Sequence, residues 1–220
     1  MKLVLASGSQ RRRELLTMCG YDYEIIVSNA DETIDENDPE SFVRALSLRK
    51  AKEVFDRLFA AGRRDFAVIG SDTVVAFQKD GETKPVIIGK PKDAEDAVRI
   101  LSMLSGKTHR VFTGVSVIAD ITDENAAAQC SIRKKEEIQT ECSITEVTFE
   151  TLSPDEIADY VNSGDPLDKA GSYGIQGPFG MFVREIRGNY FTVIGMPIPV
   201  LYKMLKKIGI LPHGFYERIE

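Results

Sequence analysis

Asp72 lies between two apolar runs, Phe66 to Ile69 and Val74 to Phe77, and is flanked by Gly70, Ser71 and Thr73. A carboxylate inside a buried strand is unfavourable unless it is paired or bound to a cation. The placement therefore points to acid–base or metal chemistry, against the alternative of an Asp that only stabilises a bulge. Lys50 is the first candidate partner. At 100° per residue Val43, Leu46, Val54 and Leu58 form one apolar helical stripe with Lys50 in its middle, while Lys52 points the opposite way. A lysine so placed either snorkels or meets other charged groups. Glu32, in the acidic stretch "NADETIDEND", is a second carboxylate that can join Asp72 as a metal ligand, although taken alone it reads as solvated surface.

The third cluster is Arg11, Arg12 and Arg13, in the first turns of a helix that follows "LASGSQ". A helix N-terminus carries about half a positive charge, so a cation there costs roughly 0.3–1 kcal/mol. On that ground Arg12→Ala is expected to stabilise the empty protein slightly. The placement makes sense when an anion is bound. Successive arginines fan through about 200°. With Ser7, Gly8 and free N–H groups beside them they form a cradle in which dipole and guanidinium act together.

The elements that must position these residues alternate between strand and helix. Leu3 to Ala6 reads as a strand, Ser9 as an N-cap and Gly20 as the residue ending that helix. Tyr23 to Val27 reads as a strand. Asp38 with Pro39 starts a helix that runs to about Ala61 and stops at Gly62. "FAVIGSDTVVAF" reads as a long buried strand broken at Gly70-Ser71-Asp72, with "KPVIIGKPK" as its return partner. A helix over Asp93 to Leu104, closed by Gly106, precedes a strand over Arg110 to Ala119. Residues 120–141 are polar and weakly periodic, and read as a hairpin tip or insertion. Cys142 to Leu152 reads as a strand, and Ser153-Pro-Asp-Glu156 as a capping box. "SGDPLDKAGSYGIQGPFG" is loop. Strands over Met181 to Ile186 and Tyr190 to Ile194 precede a helix over Pro197 to Ile208, and residues 209–220 read as a tail. These signals predict one α/β domain over residues 1–208 with two lobes around a cleft.

Composition excludes several classes. The 220 residues, 43% of them apolar and 28% charged, are those of an ordinary globular protein. A net charge of −6 argues against a nucleic-acid coat or a membrane-surface protein, so any basic site is local. No apolar run approaches the roughly 18 residues of a membrane span, and the N-terminus reads as a strand rather than a signal peptide. Cys19, Cys130 and Cys142 form no CxxC pair and suit a reducing cytosol, so a cytoplasmic location is expected. With His109 and His213 as the two histidines, a Ser/His/Asp triad is arithmetically open but lacks a GxSxG elbow, and a His-rich zinc site is disfavoured. A metal must then be held by carboxylates, which points to Mg²⁺ or Mn²⁺. "SGKTH" is not a phosphate loop: position 101 is Leu where that motif needs Gly, and a helix precedes it where a strand should. "GSYGIQG" reads either as a flexible loop or as close backbone approach to a ligand.

In this order the motifs carry a resemblance. "LASGSQRRRELL", "ADET", Lys50-Ala51, "IGSDTVV", "GKP", "LSGKTHRVFTGV" and "DPLDKAGSYGIQGPFG" make the sequence from Leu3 to Ile208 similar to the Maf family of nucleoside triphosphate pyrophosphatases. Departures are Gln10 where the family usually has Pro, the segment 120–141 and an insertion near Lys79 to Thr83. The resemblance implies a fold with an elongated central mixed β-sheet flanked by helices, related to inosine triphosphatases, and cleavage between the α- and β-phosphates of a nucleotide. It implies Asp72 as proton acceptor, Glu32 and Asp72 around a divalent cation, and Arg12, Lys50 and Lys90 neutralising phosphate charge. Family members are commonly cytoplasmic and often dimeric, so a homodimer is expected. Arg11, Thr73 and Gln176 match the branch acting on dTTP and UTP, whereas the branch acting on 7-methyl-GTP tends to carry Trp, Gln and Glu there. A Gln amide complements the N3–H and O4 of a uracil or thymine edge, and a Glu carboxylate only accepts. The competing reading is a non-catalytic nucleotide-binding regulator of cell division. It does not need a carboxylate aimed at a triphosphate, because like charges repel.

Overall fold

The computed structural model describes residues 1–78, 81–82, 84–121 and 136–214. Most of the segment expected as an insertion, part of Lys79 to Thr83, Cys130 and the end of the tail lie outside the described residues. The elements are β1 (Lys2–Leu5), α1 (Gln10–Met18), β2 (Glu24–Ile25), α2 (Pro39–Ala60), β3 (Phe66–Phe77), β4 (Val86–Ile88) and α3 (Ala94–Leu104). They continue with β5 (Thr108–Asp120), β6 (Glu136–Phe149), α4 (Pro154–Asn162), β7 (Val183–Arg187), α5 (Tyr190–Ile194) and α6 (Ile198–Lys207), with 3-10 turns between α4 and β7. Seven strands form one mixed sheet in the order β2-β1-β3-β5-β6-β7, with β4 also on β3. β2, β1 and β3 run parallel, and every other pairing is antiparallel.

β3 organises the molecule. Its alternation sends Phe66 and Val68 into a core with Val54 and Phe55 of α2, and Ala67 and Ile69 into a core with Leu16 of α1 and Leu201 of α6. Further along, Val75 and Phe77 enter a third core with Leu101 of α3 and the aromatic residues Phe149, Tyr160, Tyr173 and Phe179. These cores form the two lobes, and Gly70 to Thr73 lie at the crossing between them. β1 pairs with Lys2↔Phe66 through Leu5↔Ile69, and β4 with Val75↔Ile88 through Phe77↔Val86. Residues 70–74 thus keep one edge without a strand partner, the kind of interruption where open α/β sheets take ligands.

Two glycines bring α2 close to this crossing. A Cβ on Gly70 would meet the Ser47 carbonyl oxygen at 2.2 Å, and one on Gly114 of β5 the Val43 carbonyl oxygen at 2.1 Å. The helix is started by Asp38, whose carboxylate accepts from Ser41 N–H at 2.9 Å, with Pro39 following. Ser47 Oγ, Ser116 Oγ and Thr140 Oγ1 then link α2, β5 and β6 at 2.9 and 3.0 Å, so the polar middle of the sheet satisfies itself.

Three expectations are corrected here. Gly70-Ser71-Asp72 do not break β3, because their pairing with Ser116, Val115 and Gly114 of β5 continues without a shift. β6 begins at Glu136, not Cys142: the polar residues 136–141 pair in register with Asp120 back to Val115. Since β7 covers only the Glu146 to Phe149 end, this half of β6 is an edge whose composition reflects solvent contact. Tyr190 to Ile194 is a helix, although aromatic and β-branched residues favour strands. It is bounded by Asn189, whose side chain accepts from Phe191 N–H at 2.9 Å, and by Gly195 at φ 109°.

Candidate active site

The alternation of β3 turns Asp72 toward α2 and Ser71 and Thr73 toward α1 and α5. On the α2 side, Lys50 Nζ lies 2.9 Å from Asp72 Oδ1 and 2.9 Å from Glu32 Oε1. Lys50 and Asp72 are nearly buried, each with 12% side-chain exposure, while Glu32 is 67% exposed. The lysine does not snorkel; the stripe delivers it to two carboxylates. Lys52 faces solvent and pairs with Asp56. Asp72 Oδ2 has no hydrogen-bond partner among the described residues.

A cavity of about 500 Å³ opens at the unpaired edge of β3. Its walls are the Ser7–Arg13 segment on one side and Tyr173 to Gln176 on the other, with Lys50, Asp72, Thr73 and Lys90 between them. A second cavity of about 840 Å³ shares Glu32, Asp72, Thr73 and Lys90 with the first and continues over Phe42, Leu46 and Val74. Asp72 and Lys90 therefore stand where two cavities meet. Lys90 is exposed and forms no ion pair among the described residues. Gln176 is exposed at the rim.

The arginines separate into three roles. Arg11 Nη1 reaches Asp168 Oδ2 at 3.0 Å, tying α1 to the turn after α4. Arg12 is half-buried: Nε donates to the Gly195 carbonyl at 2.8 Å, and Nη1 to Ser7 Oγ at 3.1 Å and the Ser71 carbonyl at 2.8 Å. Its Nη2 donates to Thr73 Oγ1 at 3.4 Å. Burial lowers the Arg12 pKa and the Asp72 carboxylate raises it, yet a guanidinium stays charged. Because its removal leaves Gly195 and Ser71 carbonyls short of a donor, the expected slight stabilisation by Arg12→Ala reverses sign. Arg13 lines the cavity, and its own carbonyl accepts from the Tyr23 hydroxyl at 2.8 Å. Ser9 occupies the N-cap position without a side-chain cap bond; instead its N–H donates to Ser7 Oγ at 3.2 Å. The first N–H groups of α1 are left facing the cavity, as an anion cradle requires.

Several groups that build the site escaped the sequence reading. The Gly195 carbonyl accepts from Arg12 and shares the single Ser71 hydroxyl proton, at 3.0 Å, with the Gly114 carbonyl at 2.9 Å, and its φ of 109° with Thr73 Oγ1 3.1 Å from a built Cβ requires glycine. Lys169 holds Asp165 and Asp168 at 2.9 and 2.7 Å, and the Tyr160 hydroxyl donates to Asp165 while accepting from Gly174 N–H at 3.0 Å. The glycines of "GSYGIQG" serve this packing: a Cβ on Gly171 would meet Val75 Cγ2 at 2.5 Å and one on Gly174 the Lys169 Cε at 2.6 Å. A signal for Gly195 exists in retrospect, a lone glycine directly before Met-Pro.

Neither histidine serves a triad. His109 is buried, its Nε2 3.0 Å from the Tyr173 hydroxyl, and burial pushes its pKa down to about 3. His213 lies on the surface against Asp22 at 2.8 Å. Gly106 follows the last turn of α3 with φ 69°, as a helix-ending residue does.

No group of three or more His, Cys, Asp and Glu side chains able to hold a metal occurs among the described residues. Glu32 and Asp72 nonetheless converge on one point, now held by an ammonium. Two hard oxygen donors suit Mg²⁺ or Mn²⁺, because such ions take one or two carboxylates and fill their remaining positions with phosphate oxygens and water. The donor set fits that group.

The mixed sheet with its flanking helices is similar in fold to the Ham1 protein of Staphylococcus aureus. That structure covers 94% of this chain and all of its own, with a TM-score of 0.50 and 14% identity, a likeness of fold alone. Residues 2–208 match the family described as Maf-like protein, and the chain belongs to the Maf family. The dTTP/UTP pyrophosphatase of Agathobacter rectalis is 40% identical over 217 residues, covering 95% of this chain and 98% of that protein. That of Bacillus thuringiensis subsp. konkukian is 43% identical over 210 residues, covering 95% and 96%. Among the described residues no helix is long and apolar enough to cross a membrane.

Proposed function

We propose that this chain is a nucleoside triphosphate pyrophosphatase that hydrolyses dTTP and UTP to the monophosphate and pyrophosphate. The observation that carries the reading is the Glu32–Lys50–Asp72 cluster at the junction of the two cavities, beside the open N-terminus of α1. The names of the two relatives above and the Gln176 amide at the rim support the choice of base.

The N–H groups of α1 and the Ser7 segment bind the phosphates, with Lys90 and Lys50 placed to neutralise their charge. Lys50 holds Asp72 by Oδ1, which leaves Oδ2 to take a proton from the attacking water. Water adds at phosphorus, the bond joining the α- and β-phosphates breaks, and pyrophosphate leaves with the bridging oxygen. Glu32 and Asp72 would hold a divalent cation, which polarises the phosphates and makes bound water more acidic. Arg12 shapes the wall: four contacts to neutral oxygens occupy its guanidinium, so its contribution to the phosphates is chiefly its field. The free thiols Cys19 and Cys142 accord with a cytoplasmic enzyme.

The test is a panel of canonical and modified nucleoside triphosphates with Mg²⁺ or Mn²⁺, assayed for pyrophosphate. Release of pyrophosphate from dTTP and UTP is expected. Orthophosphate release alone, or tight binding without turnover, would overturn the reading, the second outcome favouring a nucleotide-binding regulator.

A further inference from the structure

The three arginines at the start of α1 differ in what they already hold. Arg11 is paired with Asp168, and Arg12 gives its donors to neutral oxygens. Arg13 is half-buried and lines the cavity, and its guanidinium has no hydrogen bond or ion pair among the described residues. Its Nε is shielded from water and still lacks an acceptor. A buried cationic donor left in this way is unfavourable, and an anion in the cavity would remove that cost. The sheet gives the cavity a direction. β1 pairs with β3 before residue 70, with β2 beyond β1, and β4 pairs with β3 after residue 74. Val27 and Ser28, which line the cavity with Arg13, directly follow β2. The turn carrying Gln176 belongs to the other end: Gly171 N–H donates to the Gly89 carbonyl just past β4, and a Cβ on Gly171 would meet Val75. Asp72 stands between the two ends. A nucleotide with its base at Gln176 and its α-phosphorus at Asp72 therefore extends its outer phosphates toward Ser28 and Arg13.

We propose that Arg13 holds the γ-phosphate, and so makes the site favour nucleoside triphosphates over diphosphates. The inference rests on the reading above, in which Gln176 meets the base and Asp72 the attacking water. A guanidinium presents its N–H groups in a fixed fork that matches phosphate oxygens. When water adds at the α-phosphorus, the bond to the bridging oxygen breaks and that oxygen leaves with the pyrophosphate, taking up negative charge. Arg13 keeps this leaving group in line while the charge grows. A diphosphate can undergo the same cleavage, releasing orthophosphate, but it has no γ-phosphate for Arg13 to hold.

The test measures dTMP formation from dTTP and from dTDP, with Mg²⁺, in wild type, Arg13→Gln and Lys52→Gln. The last removes the same charge from the solvent face of α2. Wild type is expected to prefer dTTP. Arg13→Gln should lower the dTTP:dTDP ratio of kcat/KM by roughly ten- to a hundredfold, the scale of a lost charge-assisted hydrogen bond. Inhibition by pyrophosphate should weaken by a similar factor, while inhibition by dTMP, which ends at the α-phosphate, stays as in wild type. Lys52→Gln should match wild type throughout. An Arg13→Gln variant with the wild-type ratio, a loss shared equally by dTTP and dTDP, or the same fall in Lys52→Gln overturns the proposal, as does a wild type indifferent to the two substrates. If Arg13→Gln fails to fold, Arg13→Met gives the same comparison. If wild type releases no pyrophosphate from any nucleotide, the pyrophosphatase reading fails separately. The Arg13 proposal is then judged by dTTP and dTDP affinities from calorimetry, where an unchanged ratio in Arg13→Gln overturns it.

Discussion

Lys50 and Arg12 both bring positive charge to the same four residues of β3, from opposite sides, and they are held in different ways. Lys50 meets two carboxylates, one of them largely in water. Arg12 meets neutral oxygens from a loop, from β3 itself and from the end of α5, the last of them 183 residues away in sequence. By formal charge the first cluster is short of a cation and the second is short of an anion. A triphosphate accompanied by a divalent ion supplies both. The comparison also separates roles: donors committed to neutral acceptors hold the protein together, whereas a charged group with valences to spare is available for chemistry.

Removing charge on the Lys50 side should therefore cost activity before stability. Asp72→Asn keeps the shape and is expected to lower kcat at least about a hundredfold, with the melting temperature within a few degrees of wild type. Turnover near the wild-type level would remove Asp72 from the role of base. Gln176→Glu, at the rim between the two sides, should lose dTTP and UTP activity relative to guanine substrates by roughly ten- to a hundredfold. The measurement is kcat/KM for UTP, dTTP and 7-methyl-GTP in both proteins, and a wild type preferring 7-methyl-GTP would reject the assignment of Gln176.

On the Arg12 side the order of costs inverts. Arg12→Ala strips a donor from two backbone carbonyls, and a loss of up to about 3 kcal/mol is expected. That corresponds to roughly 6–12 °C in Tm for a chain of this length. A variant that melts at or above the wild-type temperature without ligand would mean that the dipole penalty outweighs these bonds.

His109 provides a control away from both sides. Its folded pKa, about 3, lies below the ordinary value of 6.5, so the unfolded chain binds the proton more readily. The stabilisation is present above pH 6.5 and is lost as pH falls from there toward 3. Between pH 6.5 and 5 the loss amounts to about 2 kcal/mol. In His109→Gln the fall in Tm over this range should be correspondingly shallower. Equal slopes in the two proteins would show that the histidine does not carry this dependence.

Asp72 and Lys50 were legible in the sequence because local patterns expose them: a carboxylate inside an apolar run, and a lysine at the centre of a helical stripe. Asp38 with Pro39 announced α2 for the same reason. What was not legible depends on distant partners. Arg12 reads as misplaced at a helix start because Gly195, which receives its Nε–H, lies 183 residues away. α5 itself was hidden, since Tyr-Phe-Thr-Val-Ile suits a strand and its helical form is fixed by contacts at its two ends. The first half of β6 was hidden by its polarity, which belongs to an edge exposed to water. The glycines of "GSYGIQG" were ambiguous because their neighbours, Val75 and Lys169, come from elsewhere in the fold.

The unbroken run of β3 through Gly70, Ser71 and Asp72 has a mechanical consequence. One strand threads the cores of both lobes, so the backbone bearing the carboxylate is a shared beam and not a hinge. Bending at that point would sever ladder bonds to β5 on either side of Asp72. Closure around a substrate must therefore come from the walls, the α1 entry loop and the turn carrying Gln176, while the beam keeps its length. The same sharing couples the melting of the lobes: loosening either core strips support from the strand that anchors the other, so heat should dismantle them in one calorimetric transition.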